Sequence, residues 1–375
     1  MPQDHLKPLT SLRFFAAVWV VLYTYIHQLN TPISFGLMEH GYLGVDLFFI
    51  LSGFILSHVY LDSVGEGRFS YGTFVNHRLA RVYPLHAATL LFTILLIGAA
   101  ALKGVQLDAN AANWAALPAH LTLTQAWGLA PSASFNHPSW SISAEWFAYL
   151  CFPAVAWGAW RLRERPIVAV ALAAAVVVAL NLAFGAIAGF PLTKATFEWG
   201  ALRIVPTFLF GAALYLAWRN GAVANPKLAV AGAVIASLTV IIATSFNGTD
   251  TVAVLALGLL VLSLAGFGRD AGGAETGGIL SSKVLVYLGE ISFATYMIYV
   301  PWTWVYLKGV HRLLGSEGPL PFFWWLAGLM ALIPLSMLAH HLIERPFRNI
   351  IRDLGLRWGE RWSSRKREKH LSPGE

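Results

Sequence analysis

Ten runs of apolar residues, each about as long as a bilayer is thick, dominate this sequence of 375 residues. A helix needs about 20 residues to cross the roughly 30 Å of membrane hydrocarbon. The runs lie at 11–29, 43–62, 83–102, 142–160, 166–184, 200–218, 227–244, 251–267, 285–307 and 321–343. Only 12% of residues are charged, about half the usual share in soluble domains. We therefore predict an all-α integral membrane protein, a bundle of about ten transmembrane helices.

The basic residues alternate between the predicted loops, as the positive-inside rule requires. With the N-terminus inside, the cytoplasmic segments hold 20 of the 26 Lys and Arg, and the outer segments hold four. Both termini are therefore predicted to be cytoplasmic. Residues 345–375 hold nine Lys/Arg against four Asp/Glu, so much of the net charge of +7 lies there. We predict a transmembrane domain at 1–345 and a basic tail at 346–375 that contacts anionic lipid rather than nucleic acid.

Metal and disulfide chemistry find little support in the sequence. The single cysteine, Cys151, excludes an intrachain disulfide and a Cys-rich metal site. His340, His341 and Glu344 are neighbours but lack the spacing of a zinc-protease motif, so no metal is predicted. Glu344 is instead predicted to pair with Arg345 at a cytoplasmic helix end.

The presence of polar residues in the first helix needs an explanation, because ionisable groups are costly in a membrane. Arg13 and Thr24 are eleven residues apart, which is three turns, on one face and about 16 Å apart. Thr24 and His27, one turn further on, belong to the outer half. Taken alone, Arg13 can snorkel to cytoplasmic phosphates and His27 can be an interfacial residue.

Two carboxylates fall in the outer half of later helices. Asp46 stands in the otherwise apolar run 44–54 and is expected to meet a cation or a hydrogen-bonded histidine. Glu145 shares a helix face with Ser141, four residues earlier. The alternative for Glu145 is that it only neutralises the helix dipole.

A pair of arginines precedes the third apolar run, on the cytoplasmic side. Arg78 and Arg81, three residues apart, present two guanidinium groups in one direction, an arrangement that suits phosphate. Arginines are common at any cytoplasmic helix end, so the pair alone is a weak signal. Together with the outer carboxylates, it indicates a ligand held by its phosphates inside while its reactive end reaches the outer half of the membrane.

The residues resemble the acyltransferase-3 family of integral membrane acyltransferases, which O-acylate bacterial extracytoplasmic polysaccharides and other hydroxyl acceptors. The segments that carry the resemblance are 12–17, 44–54, 78–84 and 138–145. The similarity is weaker at 203–211, 288–296 and 344–347. The resemblance implies a multi-pass protein of the bacterial inner membrane, acetyl-CoA or another acyl-CoA as co-substrate, and a role in exopolysaccharide biosynthesis. It also implies that Arg78 and Arg81 bind CoA, and that Arg13 and a histidine eleven residues later belong to the active site.

The sequence departs from this pattern at two positions. The residue eleven after Arg13 is Thr24, and Tyr299 stands where the family often has histidine. A threonine hydroxyl is essentially unionised near neutral pH and cannot act unaided as a general base. Three explanations stay open: His27 replaces the lost imidazole, the natural protein has lost activity, or the residue is a deliberate inactivating substitution.

For the enzyme with histidine at position 24, the expected reaction is acyl transfer to an acceptor hydroxyl. The base, oriented by Asp46 or Glu145, would deprotonate the hydroxyl, or would itself carry the acyl group. Trp140 and Ser143 are candidate oxyanion donors. The candidate substrate-contacting residues are Trp140, Ser143, Arg203 and Tyr299. The alternatives are a membrane transporter or channel, or a catalytically inactive member of the family.

Overall fold

The computed structural model describes residues 6–30, 35–104, 111–130, 132–246, 249–267 and 278–355. Within these residues, ten helices of 17 residues or more form a bundle. They are α1 Lys7–Tyr25, α2 Leu43–Gly65, α3 Tyr71–Leu102, α4 Ser139–Arg161, α5 Pro166–Ala188, α6 Gly200–Arg219, α7 Pro226–Ser245, α8 Asp250–Gly266, α9 Lys283–Leu314 and α10 Phe322–Ala339. Eight helices in this part of the chain are long and apolar enough to cross a membrane. The predicted all-α membrane bundle is confirmed.

Two helices extend well beyond the apolar runs that predicted them. α3 begins at Tyr71 rather than 83, and its 32 residues span roughly 48 Å, more than a bilayer requires. α10 continues through a π-helical turn, His340–Glu344, and the helical segment Phe322–Gly355 therefore includes the start of the predicted tail. The rest of that tail, 356–375, lies outside the described residues, so the proposed division into two domains stays a prediction.

The centre of the bundle is formed by α2 and α6. In the most apolar 18-residue stretch of each helix, 72% of the residues of α2 and 78% of those of α6 are buried, against 22% in α5 and 28% in α7. Ile167 and Ile187 of α5 are 84% and 88% exposed. Such side chains can face lipid, because lipid tails are as apolar as the side chains themselves. The helices that carry Asp46 and Arg203 are therefore the most buried of the eight candidate membrane spans in the described residues.

Glycines set the close contact between α2 and α6, the two central helices. A side chain at Gly53 would collide with the carbonyl oxygen of Phe208, and one at Gly211 would collide with that of Ile50. Small residues at a crossing allow backbones to approach, which is a principal source of helix association in membranes. This contact fixes the position of Asp46 on α2 relative to α6.

The described part of the segment between α3 and α4, residues 111–130 and 132–138, folds back on both helices. The Tyr83 hydroxyl donates a hydrogen bond to the Leu121 carbonyl at 3.1 Å, and His86 Nε2 donates to the His120 carbonyl at 2.8 Å. Gln125 Nε2 donates to the Ser139 carbonyl at 3.0 Å. These bonds hold the segment against the beginning of α4, where the predicted site residues start.

Candidate active site

A small cavity in the bundle brings together residues of α1, α2, α4 and α9. Its charged residues are Arg13 and Glu145. The volume of about 30 Å³ has room for roughly two water molecules. The remaining wall is formed by Val45, Phe48, Phe49, Ser141, Ile142, Phe293 and Tyr296. The arginine expected at the cytoplasmic end and the carboxylate expected in the outer half therefore meet in one place.

Arg13 faces this cavity. Its guanidinium carbon lies 5.7 Å from the centroid of the Phe48 ring. Its Nε is buried and has no hydrogen-bond acceptor among the described residues. The side chain therefore lines a cavity inside the bundle, and the alternative in which it snorkels to cytoplasmic phosphates stays a prediction. A buried N–H without an acceptor is a donor available to a ligand.

Glu145 is held by a residue that sequence reasoning did not single out. The Ser52 hydroxyl donates a hydrogen bond to Glu145 Oε1. Arg13 and Tyr149 interact electrostatically with the same carboxylate. Ser52 lies in the quoted run 44–54, and a hydroxyl in so apolar a run was the available signal. Glu145 thus has specific partners within the bundle, beyond any effect on the helix dipole.

Asp46 meets a cation, which is Arg203 of α6. Arg203 Nη2 lies 2.7 Å from Asp46 Oδ2 and Nε lies 3.3 Å from Oδ1, and both side chains are almost fully buried. The guanidinium also donates to the carbonyls of Tyr42 and Ala195, and it lies 5.0 Å from the Trp140 ring centroid. Every nitrogen of the guanidinium is bonded, and the two residues lie on different helices, so the pair joins α2 to α6. Within the described residues, Asp46 is bound to Arg203 rather than to position 24.

Position 24 is linked to the cavity through two tyrosine rings. The Thr24 hydroxyl donates a long hydrogen bond of 3.4 Å to the Val20 carbonyl, and it also interacts with the hydroxyl of Tyr299. The Tyr299 ring centroid is 6.0 Å from that of Tyr296, which lines the cavity. His27 is exposed in the turn after α1 and is not among the residues that line the cavity.

The two arginines of α3 lie beneath the cavity, each next to an aromatic side chain. Arg78 Nη2 donates to the Tyr60 hydroxyl at 3.2 Å, and its guanidinium carbon is 6.0 Å from the ring centroid of Tyr149. Arg81 lies 5.6 Å from the ring centroid of Phe293, a residue of the cavity wall. Phe293 thus contacts Arg81 and lines the cavity, and Tyr149 contacts Arg78 and interacts with Glu145.

Arg81 is also bound to Glu344 at the π-helical turn of α10. Glu344 is fully buried and contacts His340 Nδ1 at 2.9 Å and Arg348 Nη1 at 3.8 Å. The predicted pair between Glu344 and Arg345 is therefore wrong for this part of the chain. Neighbours in sequence on a helix point in different directions, and the Glu344 carboxylate faces α3.

Ser143 and Trp140 have structural partners. The Ser143 hydroxyl donates to the Leu123 carbonyl at 2.8 Å and accepts from the Ala126 N–H at 3.0 Å. Leu123 has a φ of 58°, a left-handed conformation that is unfavourable for leucine and that these bonds help to hold. The Ser143 hydroxyl is thus engaged with the segment before α4, and Trp140 packs against Arg203. Their contact with substrate stays a prediction.

Comparison with known proteins identifies the family of this chain. The family profile described as an acyltransferase domain, Acyl_transf_3, matches residues 8–341. Acyltransferase MdmB of Streptomyces mycarofaciens is 31% identical over 382 residues, which cover 91% of each chain. Protein 2 in picA locus of Rhizobium radiobacter is 50% identical over 50 residues, 13% of this chain and 26% of that protein. No solved structure matches. The chain therefore belongs to the acyltransferase-3 family and is a multi-pass membrane acyltransferase.

Proposed function

We propose that this protein transfers an acyl group, acetyl in the first instance, from cytoplasmic acyl-CoA to a hydroxyl group of an extracytoplasmic glycan in the bacterial inner membrane. One observation carries the proposal: Arg13 and Glu145 share a cavity, Arg81 packs against Phe293 of its wall, and Arg78 packs against Tyr149, which interacts with Glu145. Arginine pairs suit phosphate, so this closeness supports a reaction site next to a phosphate-binding pair. Such a spacing suits a donor with phosphates at one end and a thioester at the other.

The donor phosphates are proposed to bind Arg78 and Arg81 from the cytoplasmic side. Arg78 Nε is buried with no acceptor among the described residues, so it can donate to a phosphate oxygen. Arg81 is bound to Glu344 in this structure, so a phosphate would compete with that carboxylate for the guanidinium. The dianionic phosphate is a stronger partner for arginine than a single carboxylate oxygen, and Glu344 would keep its existing contacts with His340 and Arg348 when Arg81 turned to the phosphate.

In the proposed reaction, the acceptor oxygen attacks the thioester carbonyl carbon, and the C–S bond breaks as the new ester forms. The acceptor loses its proton to a base, and the CoA sulfur leaves and takes up a proton. Negative charge develops on the carbonyl oxygen, where the unpartnered Nε–H of Arg13 is the available donor. Glu145, held by Ser52, is the carboxylate that faces the same cavity.

We propose that Thr24 makes this chain a poor catalyst. Its hydroxyl cannot serve as a base near neutral pH, and exposed His27 is not part of the cavity wall. A histidine at position 24 would add an imidazole beside Tyr299. General base catalysis contributes about 10²- to 10⁴-fold, so Thr24→His is expected to raise turnover by at least about 100-fold.

The test compares the Thr24 form and Thr24→His in lipid nanodiscs with radiolabelled acetyl-CoA, a set of neutral oligosaccharides as acceptors, and release of free CoA thiol. In the Thr24→His form, Glu145→Gln should remove the gain, whereas Glu290→Gln, at an exposed position of α9, should keep it. Equal, robust turnover by both forms would show that position 24 does not carry the base. Absence of acyl transfer from every form would contradict the proposed activity.

A further inference from the structure

A second and larger cavity opens at the end of the bundle where α2 and α8 begin and α5 ends. Its volume is about 530 Å³, within the range of ligand-binding pockets. It shares none of its lining residues with the Arg13 and Glu145 cavity. The residues that give it chemical character are His40, Tyr42, Asn181, Phe190, Lys194 and Asp250. By the predicted topology, it opens on the extracytoplasmic side.

The carboxylate of Asp250 is oriented in advance by its neighbours. The Tyr42 hydroxyl lies 3.0 Å from both of its oxygens, the Thr193 hydroxyl donates to Oδ2, and His40 Nε2 is 3.9 Å from Oδ1. The Asp250 side chain is only 11% exposed. A carboxylate has about four acceptor sites, so these contacts leave capacity for a further donor. Asp250 is therefore a fixed acceptor at the wall of the cavity.

Donors and aromatic surfaces complete the lining. The Lys194 ammonium lies 5.4 Å from the centroid of the Tyr42 ring, and the Lys194 side chain is exposed. Asn181 Nδ2 donates to the Val177 carbonyl at 2.9 Å, which leaves one N–H and the amide oxygen for a ligand. Lys194 balances the charge of Asp250, which does not favour a polyanion. A pocket with fixed acceptors, donors and aromatic faces, and with balanced charge, suits the hydroxyl groups and apolar faces of a neutral sugar.

A second cavity of about 210 Å³ adjoins the first, since Phe190 and Lys194 line both. It also includes Trp199 and Glu198, a second carboxylate that further disfavours an anionic chain. We call the two together the outer groove. A zwitterionic lipid headgroup could satisfy a single pair of charges, but the outer groove repeats polar and aromatic groups along its length. That repetition favours a chain of several sugar residues over one headgroup.

Buried contacts join the floor of the outer groove to the active-site cavity. The Tyr42 carbonyl accepts a hydrogen bond of 2.9 Å from Arg203 Nη2, and Arg203 is bound to Asp46. Val45, one helical turn after Tyr42, lines the cavity of Arg13 and Glu145. We infer that the outer groove is the acceptor subsite and binds a neutral glycan chain next to the reaction centre. This inference rests on the proposed function for its role, but its binding chemistry can be tested alone.

The binding test uses the full chain in nanodiscs and saturation-transfer NMR with maltotetraose, cellotetraose, chitotetraose and, as a charged comparison, tetragalacturonate. At least one neutral tetrasaccharide should bind, and Asn181→Ala and Lys194→Ala should each weaken it about fivefold or more, as expected for a lost hydrogen bond. Lys308→Ala, which removes an exposed lysine predicted to lie on the same side of the membrane, should leave binding unchanged.

Failure of all three neutral tetrasaccharides to bind would overturn the inference, as would binding that the groove variants leave unchanged. Displacement of the bound sugar by a short-chain phosphatidylethanolamine, with tighter binding of that lipid, would show a headgroup site instead and would also overturn it.

A turnover test separates this inference from the proposed function. In the Thr24→His form, Lys194→Ala should raise the KM for the acceptor about fivefold while kcat and the KM for acetyl-CoA stay unchanged. Acyl transfer with a normal acceptor KM in Lys194→Ala would overturn the acceptor subsite and leave the proposed function standing. Groove-dependent sugar binding without acyl transfer from any form would contradict the proposed function and support the glycan site.

Discussion

Arg13 and Arg203 both lie within the helical bundle, Arg203 almost fully buried and Arg13 partly buried, and their partners differ. Arg203 has two bonds to Asp46 and two to backbone carbonyls, so its guanidinium is fully engaged. Arg13 lines a cavity and has an Nε–H without an acceptor among the described residues. The first joins α2 and α6, whereas we propose that the second keeps a donor for a reacting group.

Breaking the Asp46 and Arg203 pair should destabilise the protein strongly. Arg203→Met leaves a buried, uncompensated carboxylate, which costs about 3–5 kcal/mol. The double variant Asp46→Leu with Arg203→Met should recover most of the loss, because no charge stays unpaired. Thermal unfolding in nanodiscs measures the stability of the single and the double variant.

The matched control is Arg219→Met, whose pair with Asp62 is partly exposed, at 36% and 52% for the two side chains. An exposed pair contributes about 0–1 kcal/mol, so this change should have a small effect. A single Arg203→Met variant as stable as the parent would contradict the structural role of the buried pair.

At the scale of the helices, the crossing of α2 and α6 depends on the absence of side chains. Gly211→Ala places a methyl group against the Ile50 carbonyl and should force the two helices apart. The expected loss is about 1–3 kcal/mol, the usual range for overpacking. Gly98→Ala on α3 meets no atom within 4 Å and should be neutral or slightly stabilising. Equal thermal stability of the two variants would show that the close approach is not required.

The segment before α4 should loosen at acidic pH because of His120. Burial lowers the pKa of His120 to about 3, against about 6.5 when the side chain is exposed on opening. Below pH 6.5 the open segment therefore binds a proton that the closed segment does not, and stability is lost as the pH falls. At pH 5 the loss is about 2 kcal/mol.

Hydrogen exchange of the described residues 111–130, corrected for intrinsic rates, measures this opening between pH 7 and pH 5. The number of protons taken up when the segment opens should fall by about one in His120→Asn. It should stay unchanged in His311→Asn, at the far end of α9. The same pH dependence in the parent and His120→Asn would exclude His120 as its source.

The extents of the helices show where sequence reasoning was limited. Hydropathy located each helix, because apolar length is a local property of the chain. It placed the start of α3 twelve residues late, since the first turns of that helix carry Arg78 and Arg81 and project beyond the apolar run. It also missed that α10 continues to Gly355, because a polar stretch that follows a helix can be either helix or loop.

At the scale of the whole molecule, the sidedness is a prediction that labelling can check. In a Cys151→Ser background, Lys308→Cys near the end of α9 should react with a membrane-impermeant maleimide on intact cells. Lys283→Cys, at the start of the same helix, should react only after permeabilisation. The reverse pattern would invert the topology and put Arg78 and Arg81 outside, which would contradict the proposed cytoplasmic donor.

The sequence alone determined that this chain lies in a membrane, because a helix in lipid must be apolar and must satisfy its own backbone hydrogen bonds, and both are local properties. Its motifs also sufficed to indicate the family. Only the tertiary structure decided the partners of the polar side chains: Asp46 binds Arg203 across 157 positions, and Arg81 binds Glu344 across 263. Buried charges pair with whatever the packing of helices brings within reach, and that packing depends on small residues such as Gly53 and Gly211, about two turns along the same helices, rather than on the charged residues themselves.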